Sequence, residues 1–327
     1  MAKAVAPQIR PPIPHYLPAE PPAFVKKRTE AREAAEVLPV PSDKKYTNWI
    51  KLAVPEQFLG KPIGGIAPKL TARAGVTALT LAQAIKQKPD KVEPFLLGEA
   101  FPVSEHYFSA LSGALYTDGA FIEVPDGVKA QVGLELQLDF GKLNAYRTVV
   151  VVGEGAEASI SETTGSAGQK KTLLAHGVEV YAKPGAQVKY QALQRWPGTV
   201  SQFVGYRGRV EQDARLDWLI GSFGSKLSQV RAESALVGRG AESNVHAVYY
   251  ADDSQHLDHD LIANHEVGQT TSDTYARGIA TETGHAVYRG MIKIQRGAHG
   301  STADQVYLEL AGMLIIHYDE ERRLGLP

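Results

Sequence analysis

The densest group of side chains that could do chemistry lies between residues 252 and 265. Imidazole nitrogens and carboxylate oxygens bind iron and zinc, so this group could hold a metal ion, with His256, Asp258 and His265 as the candidate ligands. In an extended strand, His256, Asp258 and Asp260 would share one face and His259 would lie on the other. The competing interpretation is a solvated outer face with one histidine hydrogen-bonded near the interior. The full group comprises Asp252, Asp253, His256, Asp258, His259, Asp260 and His265.

The composition excludes several kinds of site. The 327-residue chain contains no cysteine, which rules out disulfides, thiolate zinc sites, cysteine-ligated clusters and cysteine nucleophiles within it. It also has no glycine-rich phosphate loop, nucleophile elbow or metalloprotease motif. The formal net charge of -1 attracts neither nucleic acid nor an anionic membrane. No apolar run approaches the ~20 residues that cross a bilayer, so we expect neither kind of partner.

Arginines recur between residues 207 and 239 and alternate with acidic residues. They could line a groove for a phosphate or an acidic partner, but the interspersed acids favour a mixed, solvated face. The residues concerned are Arg207, Arg209, Glu211, Asp213, Arg215, Arg231, Glu233 and Arg239.

Residues 1–22 are rich in proline, which predicts a flexible, extended segment. This segment has no continuous apolar stretch of the kind found in a secretory signal, so we expect a cytoplasmic protein.

Residues 23–99 are predicted to form a small helical and extended region. A helix over 23–39 should end at the prolines that follow, and residues 45–52 should form an extended piece that buries Trp49. A second helical signal covers 76–98, with Thr80 as its cap, Leu81, Ala84 and Ile85 on one face, and Pro89 ending its first part.

One class of turn recurs from about residue 100 onward. A glycine, or in one case an aspartate, occupies the same position of each turn, and successive positions are about 28 residues apart. Such turns need a positive φ, which glycine adopts freely and aspartate tolerates. The seven residues are Gly127, Gly155, Gly185, Asp213, Gly240, Gly268 and Gly297.

The runs between these turns alternate apolar and polar residues, as half-buried strands do. A strand–turn–strand unit of this length cannot bury its apolar face alone, but stacked units can, which predicts a parallel β-solenoid over 100–316. Residues 317–327 would form a charged tail. The sequence fits an antiparallel β-sandwich less well, because a sandwich predicts turns of varied type every 8–12 residues and not one turn type about every 28. An open solenoid end exposes unpaired strand edges, and we expect the last coil to pair with another protein.

The stretch FSALSGALYTDGAFIEVPDG at 108–127 is the most extensive of several motifs. Others follow in order downstream, at Gln255-His256-Leu257-Asp258, His265, Ser272, Arg277-Gly278 and Tyr288-Arg289-Gly290. Together these motifs resemble the SufB/SufD family of iron–sulfur cluster assembly proteins. The basic helix followed by Leu38-Pro39-Val40-Pro41 resembles SufD more closely than SufB.

The resemblance implies a right-handed parallel β-helix and a non-catalytic scaffold role. It also implies a SufB-type subunit and the ABC-type ATPase SufC as partners, with a homodimer as an alternative assembly. Because the chain lacks cysteine, we expect no cofactor on this chain alone. Iron or an iron–sulfur cluster would be held only transiently and shared with a partner.

One departure from the family concerns the C-terminal end. Members continue into a helical region that contacts the ATPase and carries a Ser/Cys-His-Gly-Ala-Thr-like motif. The similar string His299-Gly300-Ser301-Thr302 directly follows a solenoid turn, so the role of the motif histidine does not transfer to His299. The sequence therefore predicts either a truncated or frameshifted member or a short variant without ATPase docking.

Two other functions fit the predicted fold. A carbohydrate-active enzyme would need Asp252, Asp253 and Asp258 beside a basic residue on one exposed surface. A purely structural solenoid needs no site at all. Fold by itself does not choose between these functions.

Overall fold

A computed structural model describes residues 19–38, 63–165, 167–310 and 314–317. Most of the proline-rich segment, the predicted strand around Trp49 and most of the predicted tail lie outside the described residues.

The first described part of the chain contains four helices and three short strands. They are α1 (Pro22–Val37), β1 (Ile63–Gly64), β2 (Lys69–Ala72), β3 (Thr77–Thr80), α2 (Leu81–Gln87), α3 (Pro89–Val92) and α4 (Tyr107–Leu115). None of the described helices is long and apolar enough to cross a membrane.

Helix α2 begins where the sequence predicts, at Thr80. The Thr80 hydroxyl accepts a hydrogen bond from the Gln83 amide, and the Gln83 side chain accepts one from the Thr80 amide. This reciprocal capping satisfies two amides of the first turn. Leu81, Ala84 and Ile85 are buried as predicted, whereas residues 77–80 form a strand rather than the start of the helix.

Helix α4 was not predicted, because the β-rich part was expected to begin at about residue 100. All nine of its residues are buried. A helix buried on every side shows no amphipathic period, which is the signal that sequence analysis depends on. The first strand of the solenoid instead begins at Asp118.

The remaining strands build the solenoid. They are β4 (Asp118–Val124), β5 (Lys129–Leu136), β6 (Leu143–Val152), β7 (Glu157–Thr164), β8 (Thr172–Ala182), β9 (Gln187–Gln194), β10 (Val200–Val210), β11 (Arg215–Ser222), β12 (Leu227–Leu236), β13 (Glu242–Ala251), β14 (His256–His265), β15 (Thr271–Ala280), β16 (His285–Ile294), β17 (Thr302–Leu310) and β18 (Leu314–His317).

These strands form two parallel sheets, which confirms the predicted parallel β-solenoid. The first sheet runs from β4 through every even-numbered strand to β18, and the second runs from β5 through every odd-numbered strand to β17. Each coil contributes one strand to each sheet. At the other end, β3 and β2 pair antiparallel with β4 and β5 and close the first coil.

The recurring turn has the predicted backbone conformation at six of the seven positions. Gly127 has a φ of 67° and Asp213 has a φ of 53°. The prediction is wrong at Gly268, because its neighbour Gln269 adopts the positive φ, at 61°. A side chain at residue 268 would collide with the carbonyl oxygen of His299 in the next coil, so the glycine is required for space instead.

Apolar side chains fill the space between the two sheets, as the alternation of β7, β9 and β11 requires. The outer face of the first sheet is also covered, by α1 and α4 together with residues 93–106. Arg28 fastens α1 to this layer: it is 2% exposed, it donates to the carbonyl oxygen of Tyr116 at 2.9 Å, and it pairs with Glu20 at 2.8 Å.

Candidate functional site

The proposed metal ligands lie on β14, but the strand does not bring all three together. His256, Asp258 and Asp260 lie on the outer face of the first sheet, as predicted, and His259 points into the solenoid. His265 also points inward, where its two ring nitrogens form hydrogen bonds with Thr270 and Ser272 at 2.7 and 2.9 Å. His265 therefore cannot share a metal ion with the outward pair.

Asp258 is fully buried and forms an ion pair with Arg289 on the neighbouring strand β16. Burial raises the pKa of Asp258 to about 6, against the opposing effect of Arg289. Its Oδ2 atom has no hydrogen-bond partner among the described residues. The guanidinium beside this carboxylate opposes a metal cation, because like charges repel strongly where water is excluded.

His256 lies beside His285 of β16, with parallel rings whose centroids are 6.2 Å apart. Burial, followed by His285 and Arg289, lowers the pKa of His256 to about 4. The ring is therefore neutral near pH 7, and its buried Nε2 has no hydrogen-bond partner among the described residues. His256 keeps the chemical capacity of a ligand, but it belongs to no group of three or more closely spaced ligand atoms among the described residues.

Part of the predicted mixed, solvated face is a row of largely buried ion pairs around Arg207 and Arg231, whereas Asp213, Arg215 and Arg239 are exposed. Arg207 pairs with Glu233 on the next strand and, at 2.7 Å, with Glu105 from the covering layer. Arg231 pairs with Asp260 at 2.5 Å. The recurrence in the sequence was correct, but the covering layer that removes these side chains from water could not be predicted.

A second interior histidine of β14, His259, is held by a hydroxyl group and an aromatic ring. His259 forms a hydrogen bond of 2.9 Å with Ser222, and its ring stacks on Tyr249 with 4.1 Å between centroids. Burial lowers the pKa of His259 to about 3. These contacts match the competing interpretation, in which a histidine is hydrogen-bonded in the interior.

A buried carboxyl group inside the solenoid was missed by the sequence analysis. Glu162 accepts hydrogen bonds from Tyr190 at 2.5 Å and from Tyr206 at 3.4 Å, and the Nδ1 atom of His176 lies 3.9 Å away. Burial raises the pKa of Glu162 to about 7. The signal was available, because Ala158, Ile160 and Glu162 occupy the same inward side of one alternating strand.

Asp252 and Asp253 gather with Glu282 at a turn between neighbouring coils. Among the described residues, this is the one set of three or more acidic, histidine or cysteine side chains whose ligand atoms all lie within 4.8 Å of one another. The set is largely exposed, whereas Asp258 is buried in its ion pair. The three aspartates that a carbohydrate-active enzyme would need do not share an exposed surface.

The last described coil ends in β17 and β18. Each is the outermost described strand of its sheet, with a strand partner on one side only among the residues described. Such an edge offers backbone amides and carbonyls to another chain, which is the arrangement that strand addition uses.

Comparison with known proteins places this solenoid in a family. The family model for the SufBD core domain of the SUF system of FeS cluster assembly matches residues 137–310, just over half of the chain. The matched region begins in the first coil of the solenoid and extends to the last residue of β17.

Curated relatives give the same result. An iron–sulfur cluster assembly SufBD family protein of Synechocystis is 27% identical over 290 residues, which is 85% of this chain and 59% of the relative. The iron–sulfur cluster assembly protein SufB of Bacillus subtilis is 29% identical over 212 residues, covering 63% of this chain and 45% of the relative.

A SufBD family protein of Staphylococcus saprophyticus is 28% identical over 207 residues, covering 62% of this chain and 44% of the relative. The chain therefore spans only about half the length of these relatives. Because the core-domain model matches more than half of the chain and the matched residues form the parallel solenoid, the chain belongs to the SufBD family of iron–sulfur cluster assembly proteins.

Proposed function

We propose that this chain is a SufD-like scaffold subunit of a cytoplasmic Suf complex, which pairs with a SufB-type subunit and works with the ATPase SufC. The observation that carries the proposal is the SufBD core-domain match over residues 137–310, which coincides with the parallel solenoid. The role is structural: the chain offers a rigid surface on which another subunit assembles, and it performs no turnover of its own.

The absence of cysteine limits what the chain can contribute to a cluster. Iron–sulfur clusters are held mainly by thiolates, so these must come from a partner subunit or a small molecule. The cluster is cargo in this proposal. Iron or a nascent cluster would be held transiently between subunits, and this chain would supply oxygen or nitrogen ligands at most.

The edges of β17 and β18, which have no further strand partner among the described residues, support partner binding at that end of the solenoid. A partner strand added there would pair with the backbone amides and carbonyls on the outer edges of these two strands. A SufB-type subunit with its own solenoid edge is a suitable occupant, and a second copy of this chain is the competing one.

The test is co-expression of the full chain with candidate SufB and SufC proteins, followed by affinity purification and measurement of the mass of the complex. Recovery of a stoichiometric complex with SufB supports the scaffold role, and recovery of SufC as well adds the ATPase. Recovery of SufB without SufC would place ATPase docking outside these 327 residues. A well-folded chain that captures neither partner would overturn the proposal.

A further inference from the structure

The outer face of the second sheet carries an exposed apolar cluster. Among the described residues, eight large hydrophobic side chains are more than about a third exposed, and six of them lie on this face. We call this surface the apolar face; the six residues are Leu219, Phe223, Val248, Ile279, Val306 and Leu308. Clustering of this kind marks interaction surfaces rather than ordinary surface composition.

The strand register brings the residues of the apolar face side by side across β11, β13, β15 and β17, with the exposed side chains of His246 and Arg277 among them. Side chains that pair across parallel strands are about 4.8 Å apart, so each row forms a contiguous strip. One row consists of Leu219, His246, Tyr275 and Val306, and the next of Gly221, Val248, Arg277 and Leu308.

Phe223 lies flat against this surface beside Gly221. A side-chain carbon at residue 221 would lie 2.9 Å from the Phe223 ring and 3.2 Å from Leu193, so the glycine leaves the space that these two side chains occupy. The ring is nevertheless 44% exposed. A large aromatic group held in place and still exposed is typical of a binding anchor.

An acidic row borders the apolar face on one side. It consists of Asp217, Asn244, Asp273 and Asp304, which pair across the same four strands. Asp273 and Asp304 are exposed, whereas Asp217 pairs with Arg215 at 3.0 Å. On the apolar face itself, Arg277 lies along Tyr275 and donates a hydrogen bond to its hydroxyl group at 2.7 Å. The border therefore favours a partner with positive charge on that side.

The occupant must satisfy its own backbone, because the strands beneath use their amides and carbonyls within the sheet. An α-helix meets this condition, whereas an added strand does not. Four strands span roughly 14 Å along the solenoid axis, the length of about ten helical residues, and two rows are about as wide as the apolar stripe of a helix. A second copy of this chain would bring a further acidic row to the same surface.

We propose that the apolar face docks an amphipathic α-helix of a partner protein, with lysine or arginine on the flank that meets Asp217, Asp273 and Asp304. The helix-in-groove mode supplies the precedent: apolar residues at helical spacing give affinity, and flanking charges fix the orientation. The apolar face uses outward side chains of β17 such as Val306 and Leu308, whereas strand addition uses the backbone edge of the same strand, so the two sites adjoin but use different groups.

The test uses two fluorescein-labelled 18-residue peptides, each alanine-based with leucine at helical spacing. One carries lysines along one flank of the leucine stripe and the other carries glutamates there. In anisotropy titrations of the full chain at low salt, we expect the lysine peptide to bind at least about tenfold more tightly, since opposite charges favour it. The double variant D273K/D304K should reverse this preference.

Two single variants locate the binding. Val248→Asp should abolish binding of the lysine peptide, whereas Ser161→Asp, in the same row as Leu219 but on the polar part of the sheet, should leave it unchanged. Both positions are exposed, and thermal melts verify that both variants fold. Equal binding of the two peptides, or unaltered binding by V248D, would overturn the proposal. So would a dimer in sedimentation that V248D dissociates, because the face would then join two copies.

Discussion

Arg147 on β6 and Glu179 on β8 form an ion pair in which neither side chain has any exposed surface. The Arg147 guanidinium lies over the ring of Phe101 at 3.9 Å, and the Glu179 carboxylate accepts hydrogen bonds from the amides of Leu97 and Gly98 at 3.0 and 3.2 Å. Gly177 makes room for the guanidinium, because a side chain at that residue would occupy the same space. The pair thus fastens the covering layer to the first sheet.

Breaking this pair should destabilise the protein severely. We expect Glu179→Gln to lower the free energy of unfolding by about 3–5 kcal/mol, because it leaves a buried guanidinium without its counter-charge. Urea denaturation followed by circular dichroism measures the change. The matched control is Glu157→Gln in the exposed pair Lys129–Glu157, which should cost less than about 1 kcal/mol. If E179Q and E157Q lowered the free energy of unfolding by similar amounts, the buried pair of Glu179 with Arg147 would contribute no more to stability than an exposed ion pair.

The turn at Gln269 should respond to substitution in the opposite direction from the turns that have glycine at the positive-φ position. Gln269→Gly removes a left-handed non-glycine residue and should raise the free energy of unfolding by roughly 1 kcal/mol. The free energy of unfolding should fall by a similar amount in Gly155→Ala, because φ at residue 155 is 61° and alanine is strained there. The added carbon would meet no atom within 4 Å, so the loss would report the backbone strain alone. If Q269G proved destabilising, the hydrogen bond from Arg239 to the Gln269 side chain would outweigh the backbone strain.

The stability contributed by Glu162 should depend on pH. Because its pKa rises from 4.5 to about 7 on folding, the folded protein keeps a proton that the unfolded chain releases. Its contribution to the free energy of unfolding is therefore present below about pH 4.5 and is lost as the pH rises through 7, by up to about 3 kcal/mol.

Glu162→Gln keeps the acceptor for Tyr190 and removes the titration, so comparison with the wild type isolates this dependence. Buried histidines away from Glu162, such as His259, whose pKa burial lowers to about 3, act in the opposite sense and cancel in the comparison. Unfolding free energies between pH 4.5 and 8 should fall less steeply in E162Q than in the wild type. Parallel profiles would mean that Glu162 is ionised in the folded state throughout this range.

Iron binding should not depend on His256 and Asp258. The ion pair of Asp258 with Arg289 opposes a cation, so the double variant H256N/D258N should retain any iron that the wild-type chain binds, measured by equilibrium dialysis and metal analysis. The variant should also be less stable, because Arg289 loses its partner. Loss of iron from a variant that remains folded would instead restore the metal interpretation of this strand.

The solenoid was predictable because its information is local and repeated. Alternation placed His256 and Asp258 on one face of β14 correctly, and the recurring turn fixed the coil length. His265, the third candidate ligand, lies on the opposite side of the strand from His256 and Asp258, because it is an odd number of positions away from both. The buried ion pair of Arg207 and Glu233 depends on a layer supplied by residues about a hundred positions away, and no strand pattern reveals it.

The recurring turn also determines how this chain can change in length. The amide of Gly127 donates to the carbonyl of Glu154 in the next coil, and the amide of Asp213 donates to the carbonyl of Arg239, 27 and 26 residues later. In the first four coils this corner always has four residues, at 125–128, 153–156, 183–186 and 211–214, whereas the opposite corner has six, seven, five and four. In the later coils the first corner has five, five and seven residues, at 237–241, 266–270 and 295–301, while the opposite corner keeps four, at 252–255 and 281–284. The hydrogen bonds of the turn continue across this change, from Gly240 to Gln269 and from Gln269 to His299. Engineered tags and domain insertions therefore belong at the opposite corner in the first four coils and at the first corner in the later ones.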